Sequence, residues 1–144
     1  MTERVWLAMV DSVTKGATII PVLETADLTL SDYGEGWVSL TWRPSARWLN
    51  AGSDKVIFGG AAASALEAAY GLALATVIED DDRPAGVRVQ TDYIRPVIVD
   101  TAYTVTGRVV ERRRRTAFCH AEIVDSANQR VVMGSGVCNI GHNS

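Results

Sequence analysis

The sequence predicts an α+β domain in which one antiparallel sheet is wrapped around a single long central helix. A length of 144 residues suits one domain with one hydrophobic core. The segment 59–78 is almost entirely apolar or small, which predicts a helix without a broad polar face. Most of the remaining chain has β-type patterning and contains neither repeats nor a linker. We therefore expect residues 1–144 to form one domain.

The N-terminal part of the chain predicts a short helix and then a hairpin. Apolar residues recur at helical spacing within residues 1–16, and a cation followed by glycine at Lys15–Gly16 is a usual helix end. Between residues 28 and 42 the apolar residues alternate on either side of a turn that contains two glycines, which predicts two paired strands. A loop over residues 43–55 leads into the long helix.

The C-terminal part predicts four further strands. An acidic loop that ends at Pro84 follows the long helix, because several carboxylates at a helix C-terminus oppose the helix dipole. Runs rich in β-branched residues then alternate with turn residues. The predicted strands cover residues 87–98, 102–111, 116–124 and 130–140. Residues 141–144 are expected to form a flexible tail.

Charge and hydrophobicity exclude several classes of function. The net charge of −3 gives no reason to expect a nucleic-acid partner. The apolar stretch at residues 5–10 is too short for a signal peptide, so we expect a cytoplasmic protein. The long helix approaches membrane-spanning length, but the polar groups of Ser64, Glu67 and Tyr70 favour a soluble core helix and no membrane partner.

The cysteines and histidines predict neither a disulfide framework nor a metal site. Cys119 and Cys138 have no C-x-x-C spacing, and the chain contains only two histidines. We interpret the two cysteines as reduced, buried thiols and expect no metal and no cofactor.

One carboxylate lies within the long apolar helix. On a helical wheel Glu67 shares a narrow stripe with Gly60, Ser64 and Gly71, so we expect a buried carboxylate with close neighbours. Burial of an ionised carboxylate is costly, so Glu67 should either resist ionisation or have a dedicated partner. Two interpretations remain open at this point: a general base or nucleophile, or a structural carboxylate bound to the backbone or to an arginine.

The helix begins with two glycines, which is a weak signal alone and a stronger one together with Glu67. Free N–H groups at a helix N-terminus can hold an oxyanion, and glycine lets an acyl carbonyl approach the amides. Gly59 and Glu67 are separated by about 12 Å along the helix axis, so one carbonyl cannot touch both within one chain. If they cooperate, Glu67 of one chain must meet Gly59 of another, which requires at least a dimer.

Four segments carry a resemblance to a known family. They are Phe58-Gly59-Gly60, Glu67 seven positions after the second glycine, Thr91-Asp92-Tyr93-Ile94-Arg95-Pro96, and the hairpin from Val109 to Ala117. Over residues 50–140 the sequence resembles the hotdog-fold acyl-CoA thioesterases of the PaaI-like, phenylacetate-degradation group. The resemblance implies that the long helix is wrapped by the sheet and paired in a dimer. It also implies that Glu67 activates water or attacks the thioester, and that the Gly59 amide polarises the carbonyl.

The same resemblance implies further binding residues. Substrate would contact Phe58, Gly60, Ser64 and Asn50, although Asn50 lies about two residues upstream of the usual loop asparagine. Many relatives have histidine in place of Phe58, and the carboxylate is more often aspartate. The four arginines Arg112, Arg113, Arg114 and Arg115 either hold the phosphates of coenzyme A (CoA) or form an ordinary solvated turn, and we favour the first interpretation.

We therefore expect an acyl-CoA thioesterase that acts on small, medium or aromatic acyl groups, as a homodimer or a dimer of dimers. A non-catalytic protein that binds acyl-CoA or an aromatic ligand in the same pocket is the alternative from another class. Hydration or dehydration of an acyl thioester is less well supported, because such relatives use a catalytic histidine in the loop or helix and this chain has none before His120.

Overall fold

The protein consists of one sheet and one long helix, with two short helices at the N-terminus. The computed structural model describes residues 4–142. Helix α1 spans Val5–Thr14 and α2 spans Pro21–Thr25. Strands β1 (Leu28–Gly34) and β2 (Trp37–Trp42) form the predicted hairpin, and a 3₁₀ turn at Ala46–Trp48 precedes α3. The remaining elements are α3 (Gly59–Ala75), β3 (Asp82–Tyr93), β4 (Tyr103–Arg112), β5 (Thr116–Val124) and β6 (Arg130–His142).

The six strands form a single antiparallel sheet in the order β1-β2-β4-β5-β6-β3. Helix α3 packs against one face of this sheet, and its buried side chains form the core with those of the central strands. Helix and sheet are in close contact at β4, where a Cβ on Gly107 would lie 2.7 Å from the Cβ and the carbonyl oxygen of Ala69. The predicted architecture, an antiparallel sheet around one long helix, is confirmed.

The N-terminal helices lie against α3 and β1. Helix α1 ends where predicted, with Lys15 as its C-cap and Gly16 at a φ of 74°, which is a left-handed conformation that suits glycine. Helix α2 was not predicted, although a proline at its first turn is a usual start signal. Residues 1–3 of the predicted helical region lie outside the described residues. None of the helices within residues 4–142 is long and apolar enough to cross a membrane.

Several element ends differ from the prediction, and β3 spans residues 82–93 instead of 87–98. Helix α3 stops at Ala75 instead of residue 78, because the hydroxyl of its C-cap Thr76 donates to the Ala73 carbonyl and accepts the amide of Gly36. Strand β6 continues through residues 141 and 142, which were expected in a flexible tail. It does so because β3 starts early, at Asp82, and supplies pairing partners for both residues. Residues 143–144 of that predicted tail lie outside the described residues.

Candidate active site

The first turn of α3 offers two free backbone amides. Phe58 has an extended conformation (φ −56°, ψ 133°), and its own amide donates to the Trp48 carbonyl at 2.7 Å. Further along the helix, the Ala61 amide donates to the Phe58 carbonyl. Within residues 4–142, the amides of Gly59 and Gly60 donate no hydrogen bond, as is usual for the first turn of a helix. A carbonyl oxygen that reaches this turn can therefore accept from them.

Aromatic rings lie directly against both glycines. A Cβ on Gly60 would lie 2.4 Å from Cε1 of Phe58, whose side chain is 53% exposed. A Cβ on Gly59 would lie 3.0 Å from Cζ and Oη of Tyr93. A side chain at either position would therefore displace the neighbouring aromatic ring.

Tyr93 holds the start of α3 in place. It is the last residue of β3, and its hydroxyl donates to the Gly59 carbonyl at 2.7 Å. The role of Tyr93 cannot be read from the motif that contains it, because the contact depends on how β3 returns to the helix start. An apolar cavity of about 340 Å³ opens here, lined by Gly59, Ala62, Tyr93 and the segments 56–57 and 94–97.

The loop before α3 brings Asn50 to the same end of the helix. Residues 48–50 run beside residues 56–58, with backbone pairing of Leu49 to Ile57 and of the Asn50 amide to the Val56 carbonyl. The Asn50 side chain is exposed, and its Oδ1 accepts the amide of Ala51 at 3.1 Å. The substrate-binding role of Asn50 stays a prediction.

Ser64 lies one turn into α3, on the stripe that also carries Glu67. It is exposed, and its hydroxyl donates to the Gly60 carbonyl at 2.9 Å, a bond within the helix that leaves the oxygen able to accept another. The predicted contact of Ser64 with substrate stays a prediction.

Glu67 is exposed, so the prediction of a buried carboxylate is wrong for the single chain. The stripe of Ser64, Glu67 and Gly71 is the part of α3 that the sheet leaves uncovered. A Cβ on Gly86 of β3 would lie 3.4 Å from Oε1 of Glu67, so the carboxylate lies beside that strand. Among the described residues Glu67 has neither a hydrogen bond nor an ion pair, which excludes the structural carboxylate bound to an arginine within one chain.

Glu67 lines a cavity of about 100 Å³ between α3 and β3, which we call the Glu67 cavity. Its other lining residues are Tyr70, Gly71, Leu74, Pro84, Ala85, Gly86, Arg88, Val89, Val137 and Cys138. Tyr70 is only 2% exposed, and its hydroxyl has no partner among residues 4–142. Burial of this phenol raises the pKa of Tyr70, so the group stays protonated.

Both cysteines are free, buried thiols, as predicted. Cys119 and Cys138 lie on the neighbouring strands β5 and β6. The interaction between the two thiols lowers the pKa of Cys138 and raises that of Cys119. Cys138 is also the one that lines the Glu67 cavity.

The arginine hairpin, residues 112–115, divides into one paired and three free side chains. Nη2 of Arg112 lies 3.1 Å from Oδ2 of Asp82, which is fully buried and also accepts the amide of Glu79 at 2.8 Å. Arg113, Arg114 and Arg115 are exposed, and no side-chain hydrogen bond or ion pair is formed by them within residues 4–142. Ala117, next to the hairpin, packs with Leu74 and Ile78, so the hairpin lies near the C-terminal end of α3, about 24 Å along the axis from Gly59.

This division predicts different effects of two alanine variants. Arg112→Ala should lower the free energy of unfolding by about 2 kcal/mol, because a buried carboxylate loses a charged hydrogen-bond partner. Arg114→Ala, the matched control, should change it by less than about 0.5 kcal/mol. Urea denaturation of both variants measures the difference. Equal stability of the two variants would show that the ion pair is not structural.

Comparison with known proteins decides the family. The sequence pattern of the thioesterase superfamily matches residues 54–132, which is more than half of the chain. The chain belongs to the thioesterase superfamily. The matched residues of this thioesterase-superfamily protein include all of α3 and the free amide of Gly59. No curated protein matches it in sequence.

Solved structures show the fold of this superfamily member. AziG from S. sahachiroi has a TM-score of 0.81 at 22% identity, with 88% of this chain and 100% of that chain covered. The PaaI protein from the phenylacetic acid degradation operon of E. coli has a TM-score of 0.77 at 18% identity, with 96% and 99% covered. A hypothetical thioesterase from Streptococcus pneumoniae TIGR4, solved with coenzyme A, has a TM-score of 0.73 at 16% identity, with 81% and 87% covered. The predicted α+β hotdog fold is confirmed.

Proposed function

We propose that this protein is an acyl-CoA thioesterase, active as a homodimer in which each site combines Glu67 of one chain with the Gly59 amide of the other. The observation that carries the proposal is the position of Glu67. An unpartnered carboxylate lines a cavity on the uncovered stripe of the central helix, about 12 Å along the same helix from two free amides. A carboxylate can act as general base or nucleophile in the hydrolysis of a thioester, and an amide donor can stabilise the oxyanion that develops.

The free edge of the sheet supports a dimer. Within residues 4–142, strand β3 is an edge strand that pairs only with β6, and its residues 85–90 are all exposed. Val87 is 66% exposed and Val89 is 37% exposed, which makes this long edge a template for a further strand. Two β3 strands that pair about a two-fold axis would continue the sheet and bring the uncovered stripes of the two α3 helices together.

The two-fold arrangement also resolves the separation of Gly59 and Glu67. Two antiparallel α3 helices that cross midway between these residues place Glu67 of each chain beside Gly59 of the other. A thioester carbonyl between them can accept from the amide while its carbon faces the carboxylate. The exposure of Glu67 in one chain is thus explained by the part of the site that a second copy would supply.

The chemistry follows from these positions. The carboxylate of Glu67 either removes a proton from the attacking water or attacks the carbonyl carbon itself. In both routes negative charge develops on the carbonyl oxygen, which the Gly59 amide stabilises, and the thiolate of CoA leaves as the tetrahedral intermediate collapses. In the second route water then hydrolyses the mixed anhydride. The reaction uses no cofactor.

The arginine hairpin gains a role in the same dimer. Arg113, Arg114 and Arg115 lie near the C-terminal end of α3, and antiparallel helices bring this end towards the start of the partner's α3. Three free guanidinium groups would there be available to the phosphates of CoA. Because Arg112 is held by Asp82, we assign its guanidinium to the structure and the CoA contact to the other three.

A thiol-release assay across short, medium, long and aromatic acyl-CoAs tests the proposal, together with the mass of the protein in solution. We expect a dimer or dimer of dimers and release of free CoA from at least one class of substrate. Tight binding of acyl-CoA without thiol release would identify a ligand-binding protein instead. A monomer at micromolar concentration would contradict the shared site.

A further inference from the structure

A second cavity adjoins the Glu67 cavity and lies beneath the N-terminal helices. It has a volume of about 190 Å³ and is lined by α1, by the segment around α2 and by α3. Among its lining side chains are Trp6, Met9, Ile20, Leu23, Leu72 and Ala75, and within residues 4–142 no charged side chain lines it. We call it the N-terminal cavity. Its surface is suited to an apolar group.

The two cavities meet at Gly71 and Pro84, which line both of them. Gly71 follows Glu67 by four residues, so the two share one face of α3 and lie about 6 Å apart along the axis. A Cβ placed on Gly71 would have no atom within 4 Å, which means that the space above this residue is open. An acyl chain that leaves a carbonyl held at Glu67 can therefore pass over Gly71 into the N-terminal cavity.

Helix packing within the chain does not explain why residue 71 is glycine. Glycine in the interior of a helix is unfavourable relative to alanine, and no neighbour excludes a side chain here. In the proposed dimer the two α3 helices cross midway between Gly59 and Glu67, so Gly71 lies about 12 Å along the axis from the point where the helices are closest. An open passage next to the carboxylate does explain it.

We infer that the acyl group of the substrate extends from Glu67 over Gly71 into the N-terminal cavity, and that Gly71 determines chain-length specificity. This inference rests on the proposed function and adds the substrate class. A dry protein cavity of about 150 Å³ holds benzene, so the N-terminal cavity has room for about six carbons. With the carbons that occupy the Glu67 cavity, the preferred substrates are apolar acyl groups of about six to ten carbons.

A larger side chain at residue 71 would block the passage and so tests the inference. The readout is the ratio of kcat/KM for a long substrate to that for a short one, which general damage to the enzyme would not change. We expect wild-type kcat/KM to rise by about fourfold for each methylene that enters the N-terminal cavity. Gly71→Leu should lower the ratio of kcat/KM for octanoyl-CoA to that for acetyl-CoA by about 50-fold, because it should exclude about three methylenes from the cavity. The matched control, Ala127→Leu in an exposed turn, should leave the ratio unchanged. Met9→Ala, which enlarges the cavity, should move the optimum to longer chains.

Binding of decanoate gives a readout that does not depend on turnover. The acid should change tryptophan fluorescence in the wild type, mainly through Trp6, and much less in Trp6→Phe. Gly71→Leu should weaken this binding. If no acyl-CoA is hydrolysed but decanoate binds in this way, the proposed function fails and the acyl cavity stands. A length ratio that Gly71→Leu leaves unaltered, or the absence of a Trp6-dependent decanoate signal, overturns the inference.

Discussion

Replacement of Glu67 by glutamine should lower kcat by about 10³-fold, because the amide can neither accept a proton from water nor attack the thioester. Glutamine has nearly the same shape, so the carboxylate is removed without a change in the volume of the Glu67 cavity. The KM for acyl-CoA should change little, since the arginines and the apolar cavity remain. Steady-state thiol release over a range of acyl-CoA concentrations measures both constants.

Glu35→Gln provides the matched control, because Glu35 is an exposed carboxylate in the β1–β2 turn. This variant should retain full activity. Size-exclusion chromatography should show that Glu67→Gln keeps the oligomeric state of the wild type. Turnover within tenfold of the wild type in Glu67→Gln would remove Glu67 from the mechanism.

Replacement of Gly59 by proline should lower kcat by about 10²-fold, the usual cost of losing one donor to a developing oxyanion. Proline removes the amide hydrogen at the first helical position, where it is well tolerated. The backbone before it is already compatible, because Phe58 has a ψ of 133° and proline favours an extended residue at that position. The loss should fall on kcat, since the oxyanion forms only in the transition state.

Gly59→Ala separates the amide from the added side chain. A Cβ at this position meets the ring of Tyr93 at 3.0 Å in either variant, so both displace the phenol to the same degree. Only the proline variant lacks the N–H. We expect Gly59→Ala to retain at least about tenfold more activity than Gly59→Pro. Equal kcat values for the two variants would show that the Gly59 amide takes no part in catalysis.

The sequence was sufficient for the architecture and for the start of the central helix. Apolar periodicity placed α3 at residue 59, and β-type patterning located all six strands, although β3 lies five residues earlier than predicted. The helix end was missed because it depends on the contact between Thr76 and the amide of Gly36, which lies 40 residues away in the chain. A single local pattern carries no information about such a contact.

The environment of Glu67 is the part of the site that the sequence described incorrectly for one chain. The helical wheel identified a stripe of small residues around the carboxylate, and the apolar composition of α3 suggested that this stripe is covered. The sheet leaves it uncovered, because β3 is an edge strand and none of the residues that the structure describes continues the sheet beyond it. A sequence pattern can show that a surface is suited to close packing. It does not show whether the surface that packs against it belongs to the same chain or to a second copy.

The different roles of the arginines and of Tyr93 also required the structure. Four consecutive arginines look alike in sequence, yet Arg112 alone is tied to the buried Asp82, thirty residues earlier in the chain. Tyr93 belonged to a motif that carried a family resemblance, and its hydrogen bond to the Gly59 carbonyl appears only when β3 and α3 are folded together. Residue type identified the candidates, and tertiary geometry assigned what each one does.

The central claim is that every site takes Glu67 from one chain and Gly59 from the other, and a heterodimer tests it directly. Chains carrying Glu67→Gln and Gly59→Pro, with different affinity tags, would be co-expressed and the mixed dimer purified over both tags. Each homodimer should be nearly inactive. The mixed dimer contains one intact site out of two, so it should regain about half of the wild-type activity per dimer. A mixed dimer no more active than the two homodimers would contradict the shared site.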